Sequence, residues 1–292
     1  MKRRIWAVML FFVLLIPMFT VTASADIGPK PSVTLSFKGL EDEKYYVTLL
    51  ADTDSTGPWS KNGLFRDSYG DVKVWEKFKT YSDSDGFFFL NCYSDCSETD
   101  VFKWTYYPPQ AYKILIYFPE YSHFIVSADI YERYAFDSYY TVDATGLNIQ
   151  SVTVAGKEMP VSRTYDFTWE ILSLLCRIVA TIAIEIGIAW LFGFGAKKQI
   201  LVIGITNIVT QTILNVLLNI INYSQGSLAF IFNYVWMELA VFVIEGLVFA
   251  KLLRRYEKNP TRTAHPWLYA FSANVASFAI GILIAKWMPG IF

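Results

Sequence analysis

After Trp169 the chain carries three runs of twenty or more mostly apolar residues, and a fourth begins at Pro266. At ~1.5 Å per residue, a helix of that length crosses a ~30 Å hydrocarbon core. The runs fall at about 169–194, 199–221, 228–250 and 266–286, so residues 169–292 are expected to form an all-α, polytopic domain of four transmembrane helices. "AKKQ" separates the first two runs and "KLLRRYEKNPTRTAH" the last two, whereas "NYSQGS", between the second and third, holds no charge. The positive-inside rule then places loops 195–198 and 251–265 in the cytoplasm and the C-terminus outside. Trp169, Trp190, Trp267 and Trp287 sit near the expected span ends, where amphipathic rings settle at headgroup level.

The formal charge of −1 over 292 residues conceals a division. Residues 26–168 hold 13 Lys+Arg against 21 Asp+Glu, a net of −8; the remaining positions hold 12 against 5, a net of +7. An acidic middle between basic, apolar flanks points to two environments. The start, "MKRRIWAVMLFFVLLIPMFTVTASAD", has the basic, apolar and small-residue regions of a secretory signal, with cleavage expected after Ala25 and an uncleaved anchor as the other reading. Both readings export the acidic segment, in agreement with the loop charges.

Within residues 26–156 apolar residues tend to alternate, in "SVTLSFKG", "YYVTLLAD", "DVKVWEKF", "YKILIYFP", "FIVSADIY", "YYTVDA" and "IQSVTVAG". Period two with aromatic and β-branched enrichment predicts strands, and the clusters "DTDSTGPWSKNG", "SDSDG" and "YPPQ" predict turns. About seven short strands in this length imply an extracellular β-sandwich, joined through a linker at 157–168 to the helices. The fold class is thus an exported all-β domain followed by an all-α membrane domain.

The mature start "ADIGPKPSVTLSF", with "YYVTLLADTDSTGPWS", "YKILIYFPE" and "ERYAFDSYYTVD", resembles a group of exported, membrane-anchored proteins of low-GC Gram-positive bacteria whose mature chain begins "ADIGPKPS". The resemblance covers the exported half. It implies the same architecture and a multi-pass place in a bacterial cell membrane, and it carries no activity.

Ionisable side chains in mid-bilayer cost ~2.5–3.5 kcal/mol each on insertion scales, so they face the bundle interior or a partner. The expected spans contain Arg177 and Glu185, then the four-spaced row Asn207, Gln211, Asn215 and Asn219, then Glu238 and Glu245, then Asn274. Counting depth from the outer ends puts Arg177, Gln211, Asn215 and Glu238 in an outer layer roughly 10–15 Å down. Glu185, Asn207, Glu245 and Asn274 form an inner layer at about 18–26 Å. Arg177 is expected to pair with Glu238. The inner layer has two acids and no base, an arrangement that suits a proton-coupled or cation-binding site. The plainer reading is that the amides join helices through hydrogen bonds and that Glu245, near Lys251, snorkels to the cytoplasmic face.

Catalytic signatures are missing: there is no H-E-x-x-H, no G-x-S-x-G, and the two histidines, His123 and His265, lie in different regions. "DTDSTG" and "DSDG" fail the twelve-residue calcium-loop pattern and read as turns. No metal or cofactor is expected. Cys92 and Cys96 in "NCYSDC" have two readings, a local disulfide or two unpaired thiols. Of the many aromatics, Trp104, Tyr106 and Tyr107 in "WTYYPPQ" fall beside two prolines, a stiff connection expected to be exposed and able to bind a ligand. An acidic exported domain repels phosphates, so no nucleic-acid partner is expected; membrane lipid, another membrane protein or a cell-surface ligand are the partners that fit. The expected function is a non-catalytic surface binding or sensory protein on a polar-cored bundle. A small transporter or channel component using the intramembrane carboxylates is the alternative, and an intramembrane enzyme a distant third.

Overall fold

The computed structural model describes residues 28–65, 70–147, 149, 159–256 and 265–287. The signal segment 1–25 and nearly all of the expected strand at 149–156 lie outside them. The chain divides into a β-rich unit, Pro29–Tyr165, and a helical unit that contains Asp166–Phe292.

Two sheets build the β-rich unit. In the first, β1 (Ser32–Lys38) runs parallel to β11 (Asp137–Asp143), Ser32 opposite Asp137, and antiparallel to β7 (Val101–Trp104); β12 (Val161–Arg163) extends it beyond β11. In the second, β2 (Tyr46–Ala51) and β8 (Ala111–Phe118) pair antiparallel along six residues each, flanked by β5 (Phe88–Phe89) and β6 (Ser94–Asp95) on the β2 side and by β9 (His123–Val126) and β10 (Tyr131–Glu132) on the β8 side. A small ribbon of β3 (Ser55–Thr56) and β4 (Trp59–Ser60) stands apart. Alternate residues of both sheets, among them Val33, Leu35, Val47, Leu49, Phe102, Ile114, Ile116 and Val142, meet in one apolar core.

Two sequence expectations are corrected here. "DVKVWEKF" is a helix, α1 (Val72–Thr80), and not a strand: Asp71 caps it by accepting from the Lys73 amide at 2.8 Å, and Val74 and Phe78, four apart, give it one apolar face. That face covers the outer side of the second sheet over Leu50, Phe89, Tyr93, Leu115 and Tyr117. β2 and β8 are therefore buried on both faces, which is why "YVTLLA" and "KILIYF" read as continuous apolar runs. The unit has three layers, sheet, sheet and helix. Second, the expected linker 157–168 contains β12, whose Val161 to Arg163 are hydrogen-bonded into the first sheet. Of the four expected spans, three correspond to helices that, among the described residues, are long and apolar enough to cross a membrane: Glu170–Leu191, Lys197–Gln225 and Ser227–Tyr256.

Those spans belong to α2 (Thr168–Leu191), α3 (Lys197–Gln225) and α4 (Ser227–Leu252), the last continued by a short 3-10 turn at Arg254–Tyr256; α5 (Pro266–Trp287) completes the helical unit. Each helix touches two others, α2 with α3 and α5, and α4 with α3 and α5, so the four close into a ring. The unit is inverted relative to a water-soluble bundle. Val179, Leu191, Leu201, Phe232 and Leu239 face outward while Glu185, Asn207, Gln211, Asn215 and Glu245 are buried, the distribution a lipid environment favours. Close packing fixes the α4–α5 contact: a Cβ on Gly246 would lie 2.2 Å from the Trp267 ring. At the base, Gln199 accepts from the Ala196 amide and donates to the Leu253 carbonyl, each at 3.1 Å, tying the start of α3 to the end of α4.

Candidate functional site

Two groups of polar residues lie between the helices, their members half-buried or buried. Arg177, Gln211, Asn215 and Glu238, joined by Tyr234, Asn274 and Ser277, line a cavity of about 20 Å³, room for about one water. The Arg177 guanidinium donates to Asn215 Oδ1 at 2.9 Å and lies 5.8 Å from the Phe230 ring centre. Among the described ion pairs none joins Arg177 to Glu238; the two face the same small cavity and interact through their charges. Asn215, an amide of the polar stripe on α3, is one partner the guanidinium reaches.

Deeper, Asn207 Nδ2 donates to Glu185 Oε2 at 2.6 Å and to the Ile203 carbonyl at 3.1 Å, and the Tyr269 hydroxyl donates toward the same Glu185 oxygen at 3.3 Å. Glu245 receives the Thr210 hydroxyl on Oε1 at 2.7 Å and Asn274 Nδ2 on Oε2 at 2.8 Å. Both carboxyls are out of solvent, Glu185 at 1% exposure and Glu245 at 0%. Glu245 does not snorkel. Its two hydrogen bonds come from neighbouring helices, which holds it inward against the pull of Lys251's end of the span. Thr210 and Tyr269 were not among the sequence candidates. Thr210 could have been found, since it lies three residues after Asn207 on one face of α3.

In the β-rich unit a cleft of about 250 Å³ is lined by Lys61, Lys79, Tyr81, Asp83 and Phe87 to Phe89. The Lys61 ammonium sits 4.3 Å from the Phe88 ring centre, and the Lys79 ammonium donates to the Lys61 carbonyl. Behind the cleft, the "DSDG" turn is built on Asp83, whose Oδ2 accepts from the Asp85 and Phe87 amides at 3.0 and 3.3 Å. Buried Lys113 reaches both Asp83 oxygens at 3.2 and 3.3 Å and also pairs with Asp85. An ammonium thus neutralises the acids of this turn. Burial opposes its charge, but the hydrogen bonds to Asp85 and Asp83 outweigh burial and hold Lys113 above the ordinary lysine value. Burial, then the Asp83 charge, pushes the Tyr81 hydroxyl up to about 12. The signal that could have found this site is a lysine inside the apolar strand "YKILIYF", which needs an acid when both faces are covered.

The aromatic-loop expectation is corrected in part. Trp104 is 1% exposed, an inward residue of β7 whose indole donates to the Tyr106 carbonyl at 2.9 Å. Strand alternation takes it into the core. Tyr106 and Tyr107 are half-buried, stacked edge to face at 4.9 Å. Gly57, at φ +52°, passes so near that a Cβ there would lie 2.5 Å from the Tyr107 ring, so the β3–β4 ribbon covers this loop. The disulfide reading is also corrected: Cys92 and Cys96 are both free. Cys96 is buried in the sheet–sheet core and Cys92, half-buried, packs against the same core. Burial pushes Cys92 up to about 12, and burial with the Asp95 and Asp100 charges does the same to Cys96.

No family model, curated protein or solved structure matches the chain. The sites therefore stand on their own geometry. Among the described residues no group of three His, Cys, Asp or Glu side chains is arranged to hold a metal ion.

Proposed function

We propose that the chain is a non-catalytic, membrane-anchored binding or sensory protein, its β-rich unit exported on the outer face of a bacterial membrane. Four helices anchor it, α5 being the fourth span, with loops 195–198 and 251–265 cytoplasmic, residues 26–168 and the C-terminus outside, and residues 1–25 removed as a signal. The observation that carries this reading is the distribution of open space. The β-rich unit offers a cleft of about 250 Å³, while the polar interior of the helical unit offers about 20 Å³. Of these two spaces, the first has room for a ligand larger than water.

Lys61 and Lys79 beside Tyr81 and three phenylalanines favour a ligand, or a segment of a partner, that joins an acidic group to an apolar or aromatic face. The test uses the intact protein in lipid nanodiscs and a library of short labelled peptides, each with one acidic and one aromatic residue. Retained peptides should lose at least ~10-fold in affinity, about 1.4 kcal/mol, on Lys61→Glu or Lys79→Glu, and nothing on Arg177→Met. Binding indifferent to both lysines would remove the cleft from the proposal.

A transporter or channel component is the second reading, favoured by the two buried carboxyls of the helical unit. It needs a continuous wet path to Glu185 and Glu245. The closed packing around them favours the binding reading over it.

A further inference from the structure

We propose that the inner polar layer is a proton-binding site, in which Glu185 is held as the neutral acid and donates its proton to Asn207 Oδ1 while Glu245 remains a carboxylate. The inference does not rest on the external binding reading.

It starts from an orphan. Asn207 is 0% exposed, and its Oδ1 has no hydrogen-bond partner. Both Nδ2 hydrogens are used, one on Glu185 Oε2 and one on the Ile203 carbonyl. Turning the amide over would set Oδ1 against two acceptors, so hydrogen bonding selects the observed orientation. A buried acceptor in this position calls for a donor, and the carboxyl already bound to the same amide can supply it. Placing the proton on Glu185 Oε1 gives a two-membered acid–amide pair: Nδ2–H to Oε2 in one direction, Oε1–H to Oδ1 in the other. One proton satisfies the orphan and cancels a buried charge.

Glu245 differs in the way this assignment requires. Each of its oxygens has one donor in reach, Asn274 Nδ2 at 2.8 Å and, at 2.7 Å, the Thr210 hydroxyl, which lies nearer to it than to the Thr206 carbonyl at 3.0 Å, the pattern suited to an ionised carboxylate. The groups acting on Glu185 are Asn207 of α3, Tyr269 of α5, and two acids of α4, Glu245 beside it and Glu238 through its charge from the outer layer. Arg177 and Glu238 belong to the outer cavity. Among the described ion pairs, none brings a Lys, Arg or His to Glu185 or Glu245. Two neighbouring acids without a base are relieved by sharing one proton between them. Asn274 lines the outer cavity and also holds Glu245, so the water-sized space there is one hydrogen-bonded step from that acid.

The decisive experiment is infrared spectroscopy of the intact protein in nanodiscs at neutral pH, in H2O and D2O. A protonated-carboxyl band that shifts in D2O is expected in the unmodified protein and in Glu245→Gln, and its loss is expected in Glu185→Gln. Gln at 185 keeps a donor for Asn207 Oδ1, so that variant should fold. Asn207→Leu supplies the second reading: the band should persist but move to higher frequency, because its acceptor is gone. Absence of the band from the unmodified protein, its survival in Glu185→Gln, or an unmoved band in Asn207→Leu would each overturn the assignment. So would a band that disappears in sodium chloride and returns in choline chloride, which would identify a metal cation as the occupant.

Discussion

The β-rich and helical units solve the same problem, buried charge, in different ways. In the β-rich unit the buried Lys113 is met by carboxylates, Asp83 at 0% side-chain exposure and Asp85 at 59%. One acid sits inside and one reaches water. In the helical unit the buried Glu185 and Glu245 are met by amides and hydroxyls, and Arg177 by an amide. Neutral donors cost less to place among apolar surroundings than a second full charge does, and they join helices as they do so. The comparison also separates roles, with open space beside the ion pair and closed packing around the acids.

The largest expected effect is on the β-rich side. Lys113→Met leaves Asp83 buried without its cation and should cost about 3–5 kcal/mol, read by denaturant unfolding of the intact protein. Lys113→Met with Asp83→Asn should recover much of that loss, since no charge is then left behind. A single substitution costing under about 1 kcal/mol would mean that the pair is effectively solvated, and the contrast with the helical unit would collapse.

On the helical side, Gly246→Ala drives a methyl into the Trp267 ring and should destabilise the bundle by about 1–3 kcal/mol, measured by unfolding in mixed detergent. Gly187→Ala, with nothing within 4 Å of its added carbon, should be near neutral. Equal effects at both positions would mean that the ring of helices is looser than described.

A smaller effect sharpens the comparison from the pH axis. Cys92 and Cys96 are neutral thiols in the folded β-rich unit, pushed from 9.0 up to about 12. In the unfolded chain they ionise near the ordinary thiol value, so unfolding releases protons between the two values. The stability they contribute is fully present below about 9 and is lost as the pH rises through about 12. Alkylation at pH 8 should accordingly be at least ~100-fold slower in the folded protein than in denaturant, because the thiolate is the nucleophile. Equal rates would place the thiols at the surface.

How much of this could be read beforehand depends on whether a residue's role is local. A hydrophobic run the length of a bilayer needs no partner to declare itself, so α2, α3 and α4 were legible, as were the alternating strands β1 and β11. "DVKVWEKF" misled because Val72 and Val74 alternate over too short a window to reveal the four-residue spacing of Val74 and Phe78. The parallel pairing of β1 with β11 joins segments about a hundred residues apart, and no local pattern records it. Trp104 was read from its neighbours Pro108 and Pro109, when its place on β7 decides its burial. The polar residues of the bundle were legible as a set because each is conspicuous in apolar sequence. Their partners were not: Arg177 meets Asn215, and Lys113 meets a turn thirty residues upstream. Depth along a helix can be counted, but rotation about its axis depends on neighbours the sequence does not order.

The most direct test of the division between an open β-rich unit and a closed helical unit is ion flux through the reconstituted protein. Vesicles carrying the intact chain and a proton or sodium gradient should hold that gradient as long as protein-free vesicles do. A protein-dependent leak, abolished by Glu185→Gln or Glu245→Gln, would show that the bundle conducts and would replace the anchored binding protein with a transporter.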